Sequence, residues 1–250
     1  VTWRDDDRGA LYGDALFETV AVRSGHIRWL ERHVARAWSS GRALGFPDGV
    51  LERMERALRA LAFEGDGLWR VTASRPGDGV PFGGGPGAVC VRRRALPAPG
   101  APRLTVMRGW YWADDPLSAH KTTSWLRWAE ARRRATARGF DDALLVGAGE
   151  GATVGEASAA NVFVGLRGEL VTPPLGGVLP GVTRAGLLEA AQREGAPVRV
   201  RPVRVEELAR AESILLTSAG VGVVAAAELD GRALGDVWLG TMRRWLEGGA

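Results

Sequence analysis

The sequence predicts an α/β (α+β) protein of two domains, with mixed or antiparallel sheets. Three observations predict it. The chain has 250 residues, enough for one large core or two smaller ones. Strand-like and helix-like periodicities alternate along its whole length. A Pro/Ala-rich break, RRALPAPGAP (93–102), and an irregular stretch, RGWYWADDPLSAH (108–120), separate the first third from the second half. Together they place a small N-terminal domain over 1–108, an interdomain loop over 109–120 and a larger C-terminal domain over 121–250.

In chain order, ALFETVAV (15–22) reads as a strand and ends at a Ser24-Gly25 turn. Leu30 to Arg42 reads as a helix, with Leu30, Val34, Ala37 and Trp38 on one face. Leu51, Met54, Leu58 and Leu61 mark a second amphipathic helix. LWRVTAS (68–74) and AVCV (88–91) are strands flanking RPGDGVPFGGGPG (75–87), a loop suited to a substrate lid or a long hairpin connection. RLTVM (103–107) is one more strand. A helix is expected from Thr122 or Thr123 to a C-cap at Gly139. ALLV, NVFV and ELVT are strands, and TRAGLLEAAQREG (183–195) is a helix. PVRVRPVRV alternates as a strand, and its Pro202 suits an edge. SILLTS is a buried strand and LDGRAL carries a hairpin Asp-Gly. Trp238, Met242, Trp245 and Leu246 form the apolar face of a final helix.

Apolar residues make up 46% and charged residues 25%, ordinary values for a soluble globular protein. No apolar run is long enough to cross a bilayer. The acidic opening VTWRDDDRGA lacks an apolar h-region, so no signal peptide is expected there. Cys90 is the single cysteine and cannot form an internal disulfide, which fits a reducing cytoplasm. It lies in an apolar run and is expected to pack as a small hydrophobe.

The net charge of +4 and pI of about 10.1 raise the question of an acidic partner. Of the 33 basic residues, 32 are arginine and one is lysine. The arginines are spread along helix faces among 29 acids, a pattern of surface ion pairs rather than of a nucleic-acid surface. The runs Arg92-Arg93-Arg94 and Arg132-Arg133-Arg134 keep an Arg-rich nucleic-acid-binding or scaffold protein as a remote alternative. Where arginine stands for every other lysine, Lys121 survives by chance or because its chemistry is needed. Arginine is always charged. A lysine amine can lose its proton, attack a carbonyl or act as a base.

No dinucleotide fingerprint, P-loop, CxxC, HExxH or G-x-S-x-G occurs in a proper context. His26, His33 and His120 are too scattered to propose a metal. What remains is a series of motifs in order: DRGALYGDALFETV (7–20), LERHVARA (30–37), HKTTSWLRWAEA (120–131), DDALLV (141–146), GEASAANVFV (155–164) and LPGVTR (179–184). From about residue 5 to about 235, this series resembles the fold-type IV pyridoxal-5′-phosphate enzymes. These include branched-chain and D-amino-acid aminotransferases and 4-amino-4-deoxychorismate lyase.

The resemblance implies a pyridoxal-phosphate cofactor, a small-molecule substrate, a homodimer and a role for each matched residue. Lys121 in K-T-T-S-W-L matches the catalytic lysine that attaches the cofactor through its amine and later moves a proton. It precedes a predicted helix, whose positive end would help keep the amine neutral. Glu156 in G-E-A-S-A-A-N matches the carboxylate that keeps the cofactor's pyridine nitrogen protonated, so that the ring acts as an electron sink. Alone, it would read as a loop carboxylate facing water. Arg36 in R-H-V-A-R matches the phosphate arginine. Val182 and Thr183 begin a predicted helix, whose backbone N–H groups and Thr183 hydroxyl suit a phosphate. A further phosphate contact after the buried strand falls at or near Ala219, with Ser218 as the substitute hydroxyl. Phe17 lines the substrate side. Asn161 and Phe163 are structural, and Arg8 and Asp14 are turn and packing residues.

The reaction depends on the substrate pocket, which the fold alone does not choose. The compact chain and the K-T-T-S motif followed by a bulky residue favour the lyase, which releases pyruvate and forms 4-aminobenzoate for folate biosynthesis. Branched-chain aminotransferases carry a tyrosine where Ser124 or Trp125 stands here. The arginine–histidine pair of D-amino-acid enzymes is missing from SRPGDGVPF. Many lyase-type sequences carry G-G-R-G-Y where this chain has G-D-G-V-P-F, with Val80 at the arginine's place. Substrate carboxylates then need another cation, with Arg75 and Arg108 as candidates. A branched-chain or D-amino-acid aminotransferase is the alternative.

Overall fold

Alternating apolar residues from Ala15 onward bury one side of a strand, and the first sheet grows around it. The computed structural model describes residues 6–77, 85–98 and 100–248. The chain divides into two units, Val1–Pro97 with His120–Trp125, and Ala98–Ala119 with Leu126–Ala250.

The first unit holds a four-stranded antiparallel sheet in the order β2-β1-β3-β4, built from β1 (Ala15–Arg23), β2 (His26–Ile27), β3 (Gly67–Ser74) and β4 (Val89–Arg94). Leu16, Val20 and Val22 of β1 and Trp69, Val71 and Ala73 of β3 share one face. They bury against α2 (Leu30–Ala43) and α3 (Asp48–Ala60) through Val34, Ala37, Leu51, Met54 and Leu58. Each such aliphatic side chain contributes about 1.5–3 kcal/mol. A short α1 (Arg8–Tyr12) precedes the sheet, its Gly9 N–H donating to Asp7 Oδ1 at 2.8 Å. Arg92-Arg93-Arg94 lies within β4 rather than in the break that follows it. Cys90 is buried, and burial raises its thiol pKa.

The predicted helix at Thr122 or Thr123 starts later, as α4 (Leu126–Ala137). The intervening residues pair with β1 instead. Phe17 N–H donates to Lys121 O at 2.8 Å, Leu16 and Thr122 form an antiparallel bridge, and Thr123 N–H donates to Ala15 O at 2.8 Å. This strap, 120–125, therefore belongs to the first unit, although the sequence places the start of the second domain at 121. Conversely, β5 (Arg103–Arg108) pairs with β6 (Asp142–Val146) and belongs to the second unit.

The second unit holds two five-stranded sheets. One has the order β10-β9-β8-β11-β12, from β8 (Asn161–Leu166), β9 (Glu169–Thr172), β10 (Val198–Val200), β11 (Ser213–Ser218) and β12 (Gly222–Ala225). The other has the order β14-β13-β5-β6-β7, adding β7 (Val154–Ala157), β13 (Glu228–Leu229) and β14 (Arg232–Ala233). Leu104, Leu144, Val146 and Val154 of one sheet share a core with Val162, Val164, Ile214 and Leu216 of the other. Ala131 and Ala135 seat α4 against Ala143, Leu145 and Met107. α5 (Val182–Arg193) and α6 (Leu239–Glu247) complete the unit. The strand expected over PVRVRPVRV shortens to β10, an edge strand parallel to β9, because Pro202 has no N–H to continue the ladder. Among the described residues, no helix is long and apolar enough to cross a membrane.

Candidate functional site

In the first unit the strap carries Lys121 past β1. Its ammonium lies 4.5 Å from the centroid of the Phe17 ring. The strap's approach depends on Gly13, which has φ +68° and whose Cβ, if it had one, would stand 2.7 Å from Ser124 Oγ. Ser124 Oγ donates to Gly13 O at 3.1 Å. His120 Nδ1 lies 3.2 Å from Ser40 Oγ, which fixes the strap to α2. With α4 beginning at Leu126, the expected contribution of a helix N-terminus next to Lys121 is corrected: that effect falls off within one turn.

Arg36 sits on α2 facing Glu18 of β1. Arg36 Nε donates to Glu18 Oε1 at 2.8 Å and its Nη2 donates to Glu18 Oε2 at 2.6 Å. His33 Nδ1 lies 2.8 Å from the same Oε2. Burial opposes the Glu18 charge, but the Arg36 charge and the hydrogen bonds of His33 and Arg36 outweigh it, lowering the carboxyl to about 2. Glu18 and His33 therefore fix the direction of the Arg36 guanidinium. Both lie within the matched motifs, which assign neither a role. Their visible signal is the i, i+3 spacing of His33 and Arg36, which puts both on one helix face.

The sheet face turned away from α2 and α3 carries Phe17, Thr19, Arg70, Thr72, Arg92 and Arg94, by strand alternation and register. Arg70 is the residue sequence reasoning missed. Its guanidinium stacks 3.5 Å from the Phe17 ring centroid, and its Nε donates to Thr72 Oγ1 at 3.2 Å. Among the described residues it meets no carboxylate. Burial, then repulsion from Arg94, pushes its guanidinium down to about 10. Arg75, expected to meet substrate, is spent on the fold. Its Nε pairs with Asp14, while its Nη1 and Nη2 donate to Gly45 O and Leu44 O. Arg8 Nε also pairs with Asp14, in keeping with a packing role. Val80 and its loop neighbours, 78–84, lie outside the described residues.

In the second unit Glu156 is a buried residue of β7, not a loop carboxylate facing water. Trp128 Nε1 donates to its Oε1 at 2.9 Å, and Leu179 N–H and Asn161 Nδ2 donate to its Oε2 at 3.1 and 3.4 Å. Asn161 Nδ2 also reaches Leu179 O at 2.9 Å. A Cβ at Gly181 would stand 1.8 Å from Asn161 Oδ1, so the turn before α5 needs glycine. The first turn of α5 holds Val182 and Thr183, both buried, with Gly181 at the N-cap and no side-chain cap. Ser218 Oγ accepts from Val221 N–H at 3.4 Å, so the hydroxyl expected at a phosphate closes a hairpin turn, and Ala219 has none to offer. Thr217 Oγ1, on the same strand, is buried and has no partner among the described residues. Arg108, the other expected substrate cation, lines a cavity of about 680 Å³ with Arg138, Asp230 and Arg232, and no residue expected to hold the cofactor lines it.

These groups fit a phosphorylated pyridine. The uncapped N–H groups of α5 and the orphaned Thr217 hydroxyl are donors for phosphate oxygens. Glu156, surrounded by donors, is an acceptor for a ring N–H.

Residues 15–229 match the family model described as amino-transferase class IV. The chain is similar to the bifunctional aminodeoxychorismate lyase / D-amino acid transaminase of Mycobacterium tuberculosis, at 29% identity over 92% of this chain and 86% of that one. It is similar in structure to the 4-amino-4-deoxychorismate lyase from Pseudomonas aeruginosa, with a TM-score of 0.78 and 27% identity, covering 99% of this chain and 94% of that one. An aminotransferase from Brucella abortus bound to the co-factor PLP superposes with a TM-score of 0.83 and 25% identity, covering 99% and 92%.

Proposed function

The chain belongs to the class IV aminotransferase family, whose members depend on pyridoxal 5′-phosphate, and from that premise we propose that it cleaves 4-amino-4-deoxychorismate to 4-aminobenzoate and pyruvate. The observation that carries this reading is the cationic sheet face around Arg70. A half-buried guanidinium with no acid beside it among the described residues recovers its desolvation cost when an anion arrives. The aminochorismate carries two carboxylates. A branched-chain amino acid carries a single carboxylate, and its apolar side chain has no use for a second cation on this face.

When bound, the cofactor supplies a protonated ring able to accept an electron pair. Glu156 holds the proton on the ring nitrogen. The family resemblance assigns phosphate oxygens to the first turn of α5, Val182 and Thr183, and to Arg36, which Glu18 aims. Lys121 Nζ would hold the cofactor, and as a free amine it takes the proton from the substrate carbon bearing the amino group. Arg70 and the Phe17 ring orient the substrate through a carboxylate and a ring face. Loss of pyruvate leaves an aromatic product. The same resemblance supports a homodimer, and the single buried cysteine suits a reducing cytoplasm.

The relative with both lyase and D-amino acid transaminase in its name keeps transamination as the second reading. Supplying the aminochorismate without any 2-oxo acid separates the two. Repeated turnovers that release pyruvate are expected. Amino-group exchange between an amino acid and 2-oxoglutarate, with no pyruvate from the aminochorismate, overturns the lyase reading. Arg70→Met is expected to raise KM for the aminochorismate about 10- to 100-fold with kcat nearly unchanged, the loss of one charged hydrogen-bonded contact. An unchanged KM removes Arg70 from the substrate.

A further inference from the structure

Glu156 does not stand alone, and one group attached to it is not required by the chemistry of the reaction. Trp128 is the third residue of α4, and its indole N–H donates to Glu156 Oε1 at 2.9 Å. The indole is in turn held from the side. The Arg127 guanidinium lies 4.2 Å from the Trp128 ring centroid and 4.5 Å from that of Trp112. Asp115 fixes the guanidinium through a 2.8 Å ion pair with Arg127 Nη2, and Ser118 Oγ accepts from the same nitrogen. Asp115, Arg127 and Trp128 thus form a chain of contacts ending on one carboxylate oxygen. The other oxygen is held by the Leu179 backbone and Asn161.

An indole N–H can only donate. A donor aimed at a carboxylate favours its charged form and restricts its rotation. A carboxylate that must keep a ring nitrogen protonated needs both properties. We propose that Trp128 is a positioning residue for the cofactor's ring nitrogen: it holds Glu156 charged and aimed, with Arg127 bracing the indole. The proposal rests on the reading of Glu156 as the partner of that nitrogen. Arg127 and Trp128 both enter the chain inside the motif HKTTSWLRWAEA, where Lys121 alone has a task in the reaction.

The test replaces Trp128 with phenylalanine and, separately, with benzothienylalanine, which keeps the ring's shape and deletes only the N–H. Pyridoxal 5′-phosphate is titrated into each apoprotein, and the bound cofactor's visible absorbance is followed against pH. Thermal melting of the apoproteins reports folding. Both variants are expected to bind pyridoxal phosphate about 10- to 100-fold more weakly, the usual scale for losing an outer partner of a site ligand, and to shift the pH midpoint of the colour. A merely structural tryptophan would leave that midpoint in place. If the benzothienylalanine protein keeps the wild-type affinity and midpoint, the proposal is overturned, whether or not the phenylalanine variant folds. Glu156→Gln separates the two levels. If it too behaves as wild type, the reading of Glu156 fails. If it loses the midpoint while the benzothienylalanine protein does not, only the role of Trp128 fails.

Discussion

Lys121→Arg yields a colourless protein whose turnover falls by at least about 10³-fold, the scale of removing a positioned base. Arginine keeps the charge and much of the length. It also keeps the strap, because the strap is held through main-chain groups of Lys121 and Thr123 and through Ser124. What it cannot do is present a neutral amine to a carbonyl. Lys121→Ala adds the loss of the contact with Phe17. The protein offers an unusually clean measurement, since its only ε-amine is Lys121. An amine-directed reagent should label the apoprotein at that position and be blocked by prior loading with pyridoxal phosphate. An arginine variant that stays yellow and active would remove Lys121 from the chemistry.

Glu18→Gln is expected to cost about 3–5 kcal/mol of stability, because it leaves the Arg36 guanidinium without its buried counter-charge. The same group makes stability depend on acid. Its folded pKa of about 2 lies below the reference value of 4.5, so the folded state favours the ionised form. That contribution, about 3 kcal/mol, is fully present above roughly pH 4.5 and disappears as the pH falls toward 2. Denaturant unfolding at pH 7 and pH 3 should show the wild type losing part of this stability and the glutamine variant losing less. Equal losses would mean that Glu18 is not held ionised by Arg36 and His33. The variant should also bind cofactor less tightly, because Arg36 is no longer aimed.

The elements that sequence periodicity marked clearly are those whose burial is decided locally. Val34, Ala37, Met54 and Leu58 lie on faces set by their own helices, and β1 by its own alternation. What the sequence could not state was decided by partners far along the chain. Thr122 and Thr123 read as a helix start, yet they pair with Leu16 and Ala15, more than a hundred residues earlier. Without the motif around it Glu156 would read as a loop carboxylate, because its indole partner stands 28 positions away on another element. Arg75 looked available because nothing local shows that Asp14, Leu44 and Gly45 converge on it. Arg70 was one arginine among 32, and only the register that sets it beside Phe17 and Thr72 distinguishes it. The ordered motifs gave the cofactor residues their identity, but not the neighbours that aim them.

The strap has a consequence for how this chain can be cut and recombined. The polypeptide leaves the first unit at Pro97, returns for His120–Trp125 and leaves again at Leu126. The lysine therefore travels with a segment whose hydrogen-bonding partners and whose covalent neighbours lie in different units. No single scission yields two self-sufficient fragments: a break near residue 97 strands Lys121 on the wrong piece, and a break after 125 divides the second unit. Grafting residues 1–97 alone onto another partner would transplant the aimed Arg36 without the amine. The chain is thus modular in its folding but indivisible in its inheritance, and recombination between relatives should tolerate crossovers that keep residues 1–125 together better than any that fall between 97 and 120.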